Sequence, residues 1–324
     1  MPSPRDVLTP DSLAMLQAIA DTGSFAAAAR QLHLVPSALT YRVRQMEEAL
    51  DVLLFDRSTR QAQATEAGQA LLTEGIRLLQ DIDAVAHRVR RVATGWEPEL
   101  TLVADGVISQ ATLFDLVEAF YALKSPTRIK LGMGTLTGPV ELLSTGRADL
   151  ALGVGSNNTS VPGLQLEDLG DITFVFAVAP FHPLAQVEQP ITDELLLEHR
   201  LIVVADSAQR ERTSIGLLGG QDTFTVDTVQ AKIDAQVRGL GCGFLPESMA
   251  RPYVEAGLLV TKPVTRPTRQ LRMRYAWKKP SSGGLGKALH WWLTQLQSPV
   301  TQKALLNDHR LSPTAVTVAG PAQA

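Results

Sequence analysis

The chain has 324 residues, a formal net charge of −3 at pH 7 and a hydrophobic content of 45%. This length allows two or three domains with cores of their own, while the charge excludes a uniformly basic protein that coats nucleic acid. The single cysteine, Cys242, excludes an internal disulfide framework and is typical of a reducing cytoplasm. We expect a cytoplasmic protein, because the N-terminus lacks the apolar core of a signal peptide and no apolar run approaches roughly 20 residues.

The N-terminal region is predicted to form three short helices. The first spans residues 10–21 and is capped by Thr9. The second begins after Ser24, whose hydroxyl can accept from an unpaired amide, and runs through an alanine-rich stretch of high helix propensity. After a tight turn at residues 33–35, Pro36 suits the start of the third helix, because its missing N–H costs nothing there. A helix, a tight turn and a second helix are typical of a module that reads the major groove of DNA.

The third helix has two faces of different chemistry. Its apolar residues recur at spacings of four and three, which predicts a buried face of Leu39, Val43, Met46 and Leu50. The opposite face carries hydroxyl, amide and guanidinium groups, the donors that contact base edges and phosphates. Arg42 and Arg44 could instead form ion pairs with Glu47 and Glu48, and Tyr41 could cover the hydrophobic face. We expect the DNA contacts of this region to come from Ser24, Pro36, Ser37, Ala38, Thr40, Tyr41, Arg42 and Arg44.

A short strand and a polar turn are predicted after the third helix. Val52, Leu53 and Phe55 fit the strand, and the turn carries Arg57 and Arg60. We interpret this segment as a wing that brings two arginines to neighbouring phosphates or to the minor groove. The alternative is a surface loop with solvated arginines. With the wing, the predicted DNA-binding domain covers residues 1–64.

Residues 65–96 are predicted to form one long helix. Thr65 caps it, and Glu66 places a negative charge where the helix dipole favours it. Apolar residues recur as a heptad seam, a pattern typical of pairing with a partner helix, and Gly75 is the weak point of this seam. Because few nearby residues could cover the seam, we favour dimerisation over packing on the helix's own domain. The expected dimer residues are Leu71, Leu78, Ile82, Val85 and Val89.

After the long helix, apolar runs that fit strands alternate with helical stretches. We interpret the pattern as an α/β domain of two halves: half I is about residues 97–176 and 267–298, and half II is about residues 177–266. The loops that follow the strands would face each other across a cleft. The small and polar residues of 299–324 predict a disordered tail.

The loops at the strand ends supply the candidate ligand-binding residues. Their hydroxyls and the backbone amides of helix N-termini suit a carboxylate or similar anion. Asp105 would repel an anion, which favours a neutral or amine-bearing ligand, or a phenolic hydroxyl that donates to it. The alternative role for each residue is ordinary helix capping. The expected cleft residues are Asp105, Gly106, Val107, Ser109, Thr135, Thr137, Val154, Asp206, Ser207, Asp227, Thr228 and Phe244.

Enzymatic signatures are weak throughout the sequence. The six histidines are scattered, and the sequence has no His/Cys cluster at metal-ligand spacing and no nucleophile elbow. We therefore expect no catalytic site, no metal and no cofactor. Cys242 is expected to be a small packed residue rather than a redox sensor.

The first 96 residues resemble the winged helix-turn-helix of LysR-type transcriptional regulators. The resemblance rests on SFAAAARQL at 24–32, SALTYRVRQMEEALDVLLFDRS at 37–58 and TEAG at 65–68. Beyond this region the order of strands also matches, together with three motifs. These are GRADLAL at 146–152, HPL at 182–184 and GLGCGFLP at 239–246.

One departure from the family pattern affects the expected reading of bases. The recognition helix of the family usually opens with a hydroxyl residue and a glutamine, where this chain has Val35 and Pro36. Base reading is therefore expected to shift to Ser37, Ala38, Tyr41 and Arg42. This opening is similar to that of a subgroup related to the YhaJ and allantoin-pathway regulators.

The resemblance implies a fold and a set of partners. The fold is a winged helix-turn-helix, a linker helix and a C-terminal bilobed α/β effector domain like that of periplasmic binding proteins. The implied partners are double-stranded operator DNA with paired half-sites, a small organic effector in the cleft and RNA polymerase. The implied assembly is a homodimer through the linker helix and a homotetramer built as a dimer of dimers. The alternative is a protein that uses the cleft alone, as a binding protein or an enzyme, without DNA binding.

Overall fold

The structure is a computed structural model that describes residues 3–56, 62–155, 163–209, 218–279 and 284–311. The chain divides into two compact units, residues 1–90 and residues 91–324. No helix in the described part of the chain is long and apolar enough to cross a membrane.

The first unit consists of helices and one small hairpin. Its elements are α1 (Pro4–Val7), α2 (Pro10–Thr22), α3 (Phe25–Gln31), α4 (Pro36–Leu50), β1 (Phe55–Asp56), β2 (Gln63–Ala64) and the first part of α5 (Glu66–Thr94). The apolar faces of these helices meet in one core, in which Ile19, Leu39 and Val43 are fully buried. The predicted helix-turn-helix is therefore formed by α3 and α4.

The predicted helix caps are confirmed. The hydroxyl of Thr9 accepts from the Ser12 amide at 3.3 Å, and that of Ser24 accepts from the Ala27 amide at 3.4 Å. The hydroxyl of Thr65 accepts from the Gly68 amide at 3.0 Å and donates to the Leu53 carbonyl. Each hydroxyl satisfies an amide that has no partner within its helix.

The predicted wing forms an antiparallel hairpin of β1 and β2, with Phe55 opposite Ala64. The strand is shorter than expected. It begins at Phe55, and the exposed residues Val52 and Leu53 lie before it. The Leu54 amide turns inward and donates to the buried carboxylate of Glu47 at 2.9 Å. The tip of the wing, with Arg57 and Arg60, lies outside the described residues.

Helix α5 packs only its first turns on the core of the first unit. Leu72 is buried there, and Leu71 is partly buried against the same core. Gly75 faces Leu13, whose Cδ2 would lie 3.1 Å from an added Cβ, so a larger residue would push α5 outward. Leu71 therefore packs on its own unit, where a contact with a partner was expected.

The second unit holds half I, a mixed sheet with helices on its faces. Its elements are β3 (Glu99–Asp105), α6 (Gln110–Ala122), β4 (Arg128–Gly134), α7 (Gly138–Ser144), β5 (Leu150–Gly155), the first part of β6 (Leu164–Val178), β11 (Gln270–Lys278) and α11 (Lys287–Leu296). Strand β3 runs parallel to both β4 and β5, and β11 runs antiparallel to β5 and β6. This confirms the predicted alternation of strands and helices in half I.

Half II of the second unit is smaller. Its elements are the end of β6, a 3-10 helix (Pro183–Gln186), α8 (Asp193–Leu197), β7 (Leu201–Val204), β8 (Thr223–Val226), α9 (Val229–Val237), β9 (Gly243–Pro246), α10 (Glu247–Glu255) and β10 (Val260–Lys262). Strands β9 and β10 both pair antiparallel with β6, while β7 and β8 are parallel to each other.

The crossing between the halves differs from the expected positions. Strand β6 is continuous: residues up to Thr173 pair with β11, and residues from Phe174 onward pair with β9 and β10. The chain returns at Arg269, whose carbonyl accepts from the Phe174 amide at 2.9 Å. Residues 171–178 contain no glycine or proline and are rich in aromatic and β-branched residues, so nothing ends the strand at the boundary.

The expectation of a disordered tail is wrong at its start. Residues Pro299–Asn307 form helix α12, with a proline in its first turn. Leu305 and Leu306 are buried in the main core of the second unit. The Leu306 carbonyl accepts from the Ser248 hydroxyl at 2.7 Å, and the Asp308 carbonyl accepts from the Ser109 hydroxyl at 2.6 Å. Helix α12 thus joins α6 of half I to α10 of half II.

Helix α12 is predicted to contribute to the stability of the second unit. Leu305→Ala removes a fully buried side chain and should lower the free energy of unfolding by about 2–5 kcal/mol. Val300→Ala, on the exposed face of the same helix, is the matched control and should change it by less than about 0.5 kcal/mol. The measurement is urea unfolding followed by circular dichroism, and equal effects of the two variants would contradict this role of α12.

Candidate functional site

Helix α4 presents the polar face that the sequence predicts. Pro36, Ser37, Tyr41, Arg42 and Arg44 are exposed. Ser24, Ala38 and Thr40 are partly buried, while Leu39, Val43 and Met46 lie fully inside. Small side chains at the start of the helix and long donors in its second and third turns allow close approach to a flat or grooved surface.

The two arginines of α4 are not used by the protein itself. In the part of the chain that the structure describes, neither Arg42 nor Arg44 forms an ion pair. The expected alternative partner Glu47 is buried beneath the helix and receives the Leu54 amide. Both guanidinium groups therefore remain on the exposed face.

Three other candidate residues of this module have local hydrogen bonds. The Thr40 hydroxyl donates to the Pro36 carbonyl at 3.0 Å, and Ser24 caps α3. The Tyr41 hydroxyl accepts from the Gln45 side-chain amide at 3.0 Å, so the tyrosine ring stands outward beside Gln45 rather than over the core. The Tyr41 hydroxyl can still donate its own hydrogen to another acceptor.

A cavity of about 160 Å³ lies between the two halves of the second unit. Five of the expected residues line it: Asp105, Val107, Thr135, Thr137 and Phe244. Sequence reasoning missed most of the remaining wall, which comes largely from strands β6, β7, β9 and β11 and from the start of α9 rather than from loops after strands. These further lining residues include Ile172, Phe174, Val203, Val204, Val229, Lys232, Pro246, Arg269, Leu271 and Met273.

The other expected cleft residues have different positions. Ser109 caps α6 and bonds to α12, Val154 is buried in the core of half I, and Thr228 caps α9. Gly106 approaches Val229 of half II, where an added Cβ would lie 3.4 Å from Cγ2. Asp227 is exposed.

Asp206 and Ser207 join the two halves in a cluster that we call the cleft latch, formed with Thr135 and Thr137. The Thr137 amide and hydroxyl donate to the Asp206 carboxylate at 3.1 and 2.6 Å. The Thr135 amide donates to the Ser207 hydroxyl at 2.9 Å, and the Ser207 amide donates to the Thr135 hydroxyl at 3.0 Å. Gly138 lies against Ser207 with no room for a Cβ. The latch holds the strand-end loops of the halves together.

Asp105 is buried beneath the latch and is held by the backbone. Its two carboxylate oxygens accept from the Val107 amide at 3.0 Å and from the Leu136 amide at 2.8 Å. Burial raises the pKa of Asp105 to about 7, and the charge of Asp206 raises it by a smaller amount. The hydrogen bonds from the two amides lower the pKa. Because both oxygens accept from backbone amides, Asp105 positions the loops that carry Val107 and Leu136.

Two basic side chains also line the cavity. The Lys232 ammonium has no hydrogen-bond or ion-pair partner within the described residues, and burial lowers its pKa to about 8. The Arg269 guanidinium lies 5.5 Å from the centre of the Phe174 ring, and burial lowers its pKa. The electrostatic character of the cavity therefore comes from these two cations as well as from Asp105.

Cys242 is a packed residue. It is fully buried, and its thiol donates to the Arg200 carbonyl at 3.4 Å. Burial raises the pKa of the thiol to about 11, so the reactive thiolate is scarce at neutral pH. This confirms the expected packing role.

The cleft latch is predicted to control local opening. Asp206→Ala removes the acceptor of the Thr137 and Ala208 amides, so both should exchange with solvent about tenfold faster. Asp206→Asn keeps an oxygen at the same place and should retain protection. Asp222→Ala, at an exposed aspartate paired with Arg200, is the control. The measurement is native-state hydrogen exchange, and unchanged protection in Asp206→Ala would contradict the latch.

Comparison with known proteins gives two family matches and close relatives. The family described as "Bacterial regulatory helix-turn-helix protein, lysR family" matches residues 10–69, and "LysR substrate binding domain" matches residues 93–298. The uncharacterized HTH-type transcriptional regulator YeeY of Escherichia coli (strain K12) is 36% identical over 287 residues, 88% of this chain and 92% of that protein. The probable HTH-type transcriptional regulator YhaJ of the same strain is 34% identical over 291 residues, 89% and 96% respectively.

A solved structure shows the same fold. The crystal structure of full-length CbnR complexed with its target DNA superimposes with a TM-score of 0.60 at 19% identity, covering 88% of this chain and 98% of that chain. Two family matches span most of the chain, and relatives above 30% identity align over nearly their whole length. The chain therefore belongs to the LysR family of DNA-binding transcriptional regulators, which carry a C-terminal effector-binding domain.

Proposed function

We propose that this regulator binds operator DNA with paired half-sites and that a small organic effector in the cleft modulates this binding. The observation that carries the proposal is the exposed polar face of α4 with its two unpaired arginines. In this proposal, base edges in the major groove are contacted by Ser37, Ala38, Tyr41 and Arg42. The remaining candidates, Ser24, Pro36, Thr40, Arg44, Arg57 and Arg60, would lie near the DNA backbone.

The charges around the first turn of α4 support the placement of this helix against DNA. No acidic residue lies in the first turn of α4, so the helix dipole at this end favours a phosphate. The overall charge of −3 does not oppose the proposal, since the phosphates would meet the α4 face rather than the whole molecule. Because a regulator of promoters acts on DNA, we propose that the protein is cytoplasmic. We also propose RNA polymerase as a further partner.

Arg42 is predicted to be required for operator recognition. Arg42→Ala should weaken specific binding about tenfold or more, because a guanidinium contact to a base edge is worth about 1–3 kcal/mol. The measurement is fluorescence anisotropy on the genomic fragment that the purified protein protects in footprinting, with scrambled DNA of equal length for comparison.

The matched control for Arg42 is Arg77→Ala. Arg77 lies on α5 of the same unit, is exposed and pairs only with Glu74 at 3.4 Å. This variant removes the same charge and should bind within about twofold of wild type. Wild-type affinity of a folded Arg42→Ala variant would contradict the assigned contact.

We further propose that the chain dimerises through α5 and assembles into a tetramer as a dimer of dimers. Beyond its packed first turns, α5 exposes an apolar stripe of Leu78, Ile82, Val85 and Val89, each about half exposed or more. These residues keep the heptad spacing, which is the pattern of helix pairing. Pairing would bury the stripe and set two DNA-binding modules on one operator.

Disruption of the stripe is predicted to give monomers. Ile82→Asp places a charge in the proposed seam and should shift the equilibrium to monomer at micromolar concentration, because an unpaired charge is costly to bury. His87→Asp, two residues after Val85 on the other side of α5, is the control and should leave the assembly unchanged. The measurement is analytical ultracentrifugation, and an unchanged mass for Ile82→Asp would exclude this interface.

The proposed response to effector is a shift of population. Binding in the cavity would favour one arrangement of half I and half II, and α5 would transmit this difference to the spacing of paired DNA-binding modules. The cleft latch supports this part of the proposal, because its hydrogen bonds join the two halves and would break if the strand-end loops moved apart.

A further inference from the structure

The cavity between the halves has a charge pattern that selects its ligand. Lys232 and Arg269 both line it, and neither has a carboxylate partner among the described residues. The acid in the lining, Asp105, accepts from two backbone amides, which offset part of its negative charge. A cation that is partly removed from water without a counter-charge is costly, which favours a ligand group with a negative charge.

The rest of the cavity wall is apolar. Ile172 and Phe174 lie on β6, which the halves share, Leu271 and Met273 lie on β11, and Phe244 adds to the wall from half II. A cavity of about 160 Å³ is close to the roughly 150 Å³ of an engineered apolar cavity that binds benzene. The site therefore has space for one ring or a short branched chain beside the charged group.

We propose that the effector is an organic monoanion, a carboxylate on a compact apolar body of about ring size, with Lys232 and Arg269 as its specificity-determining cations. This inference rests on the proposed function, because it names the ligand class of the same cleft. It replaces the expectation of an amine-bearing ligand, since the two cations would repel an ammonium group. An inorganic anion such as sulfate would leave the apolar wall unfilled.

The test is calorimetric titration of the full-length protein with sets of probes that share a skeleton. The sets are benzoate with benzamide and benzylamine, cyclohexanecarboxylate with its amide and amine, and hexanoate with its amide and amine, together with sulfate alone. We expect at least one carboxylate to bind, with its amide about tenfold weaker or more and its amine and sulfate without detectable binding. An amide or amine that binds as tightly as its acid, or binding by no carboxylate, would overturn the inference.

Two variants assign the binding to the cavity cations. Lys232→Met and Arg269→Gln should each weaken the carboxylate about tenfold or more. Arg238→Gln, exposed near the end of the same helix as Lys232, is the control for loss of a charge and should not change affinity. Lys232→Met also removes an unpaired cation, so its melting temperature without ligand should not fall. A carboxylate that binds both cavity variants as well as wild type would overturn the assignment.

The pH dependence gives a second readout on the same sample. The charged groups near the cavity are Asp105, Asp206, Lys232 and Arg269, and the Cys242 thiol stays neutral. Raising the pH from 6.5 to 9 removes the proton of Lys232 and ionises Asp105, whose pKa values are about 8 and about 7. Both changes disfavour an anion, so carboxylate affinity should fall about tenfold in wild type and less in Lys232→Met. Affinity that rises with pH would overturn the inference.

The outcomes separate this inference from the proposed function. Specific DNA protection without carboxylate binding would retain the regulator and overturn the ligand class. Carboxylate binding without specific DNA protection would retain the ligand class and overturn the proposed operator binding.

Discussion

The two halves of the effector domain share one continuous strand, and the cavity between them depends on that strand. Strand β6 pairs with β11 up to Thr173 and with β9 and β10 from Phe174 onward, so it forms part of the cavity wall and connects the two halves. The apolar side chains Ile172 and Phe174 enter the cavity from this strand. The cleft latch joins the strand-end loops of the two halves, and α12 bonds to both halves.

The energies of these contacts suit a domain that responds to a ligand. A hydrogen bond contributes about 0.5–1.5 kcal/mol net, so the latch favours closure by only a few kcal/mol. A ligand of micromolar affinity has about 8 kcal/mol of binding free energy, and only the part that differs between the open and closed arrangements shifts the population. Closure on an anion that meets both Lys232 and Arg269 supplies such a difference, because an unpaired cation gains its partner there.

The sequence predicted those features that follow from local physical chemistry. Helix caps at Thr9, Ser24 and Thr65, the two faces of α4 and the strands of half I all depend on residues close together in the chain. The strand-end rule placed Asp105, Thr135 and Thr137 correctly in the cavity wall. These predictions succeeded because spacing and residue type decide them without knowledge of distant partners.

The features that the sequence did not reveal depend on distant contacts. Lys232 lies one turn inside α9 and Arg269 lies in a connection, so nothing local marks either of them as part of a cavity. The hydrogen bonds from the Val107 and Leu136 amides to Asp105 were not predicted, because the Leu136 amide is brought to Asp105 only by the fold. Helix α12 was not predicted, because most residues at the chain end are small or polar. The buried residues Leu305 and Leu306 among them were therefore not recognised as part of a packed helix.

Footprinting of the purified protein on fragments of its own genome, with and without small carboxylates, tests the central claim most directly. Our account predicts protection of paired half-sites at a promoter, with a protected length or spacing that changes when one carboxylate is present. A folded and dimeric sample that protects no specific sequence at moderate salt would contradict it, and the cleft would then have to act without DNA.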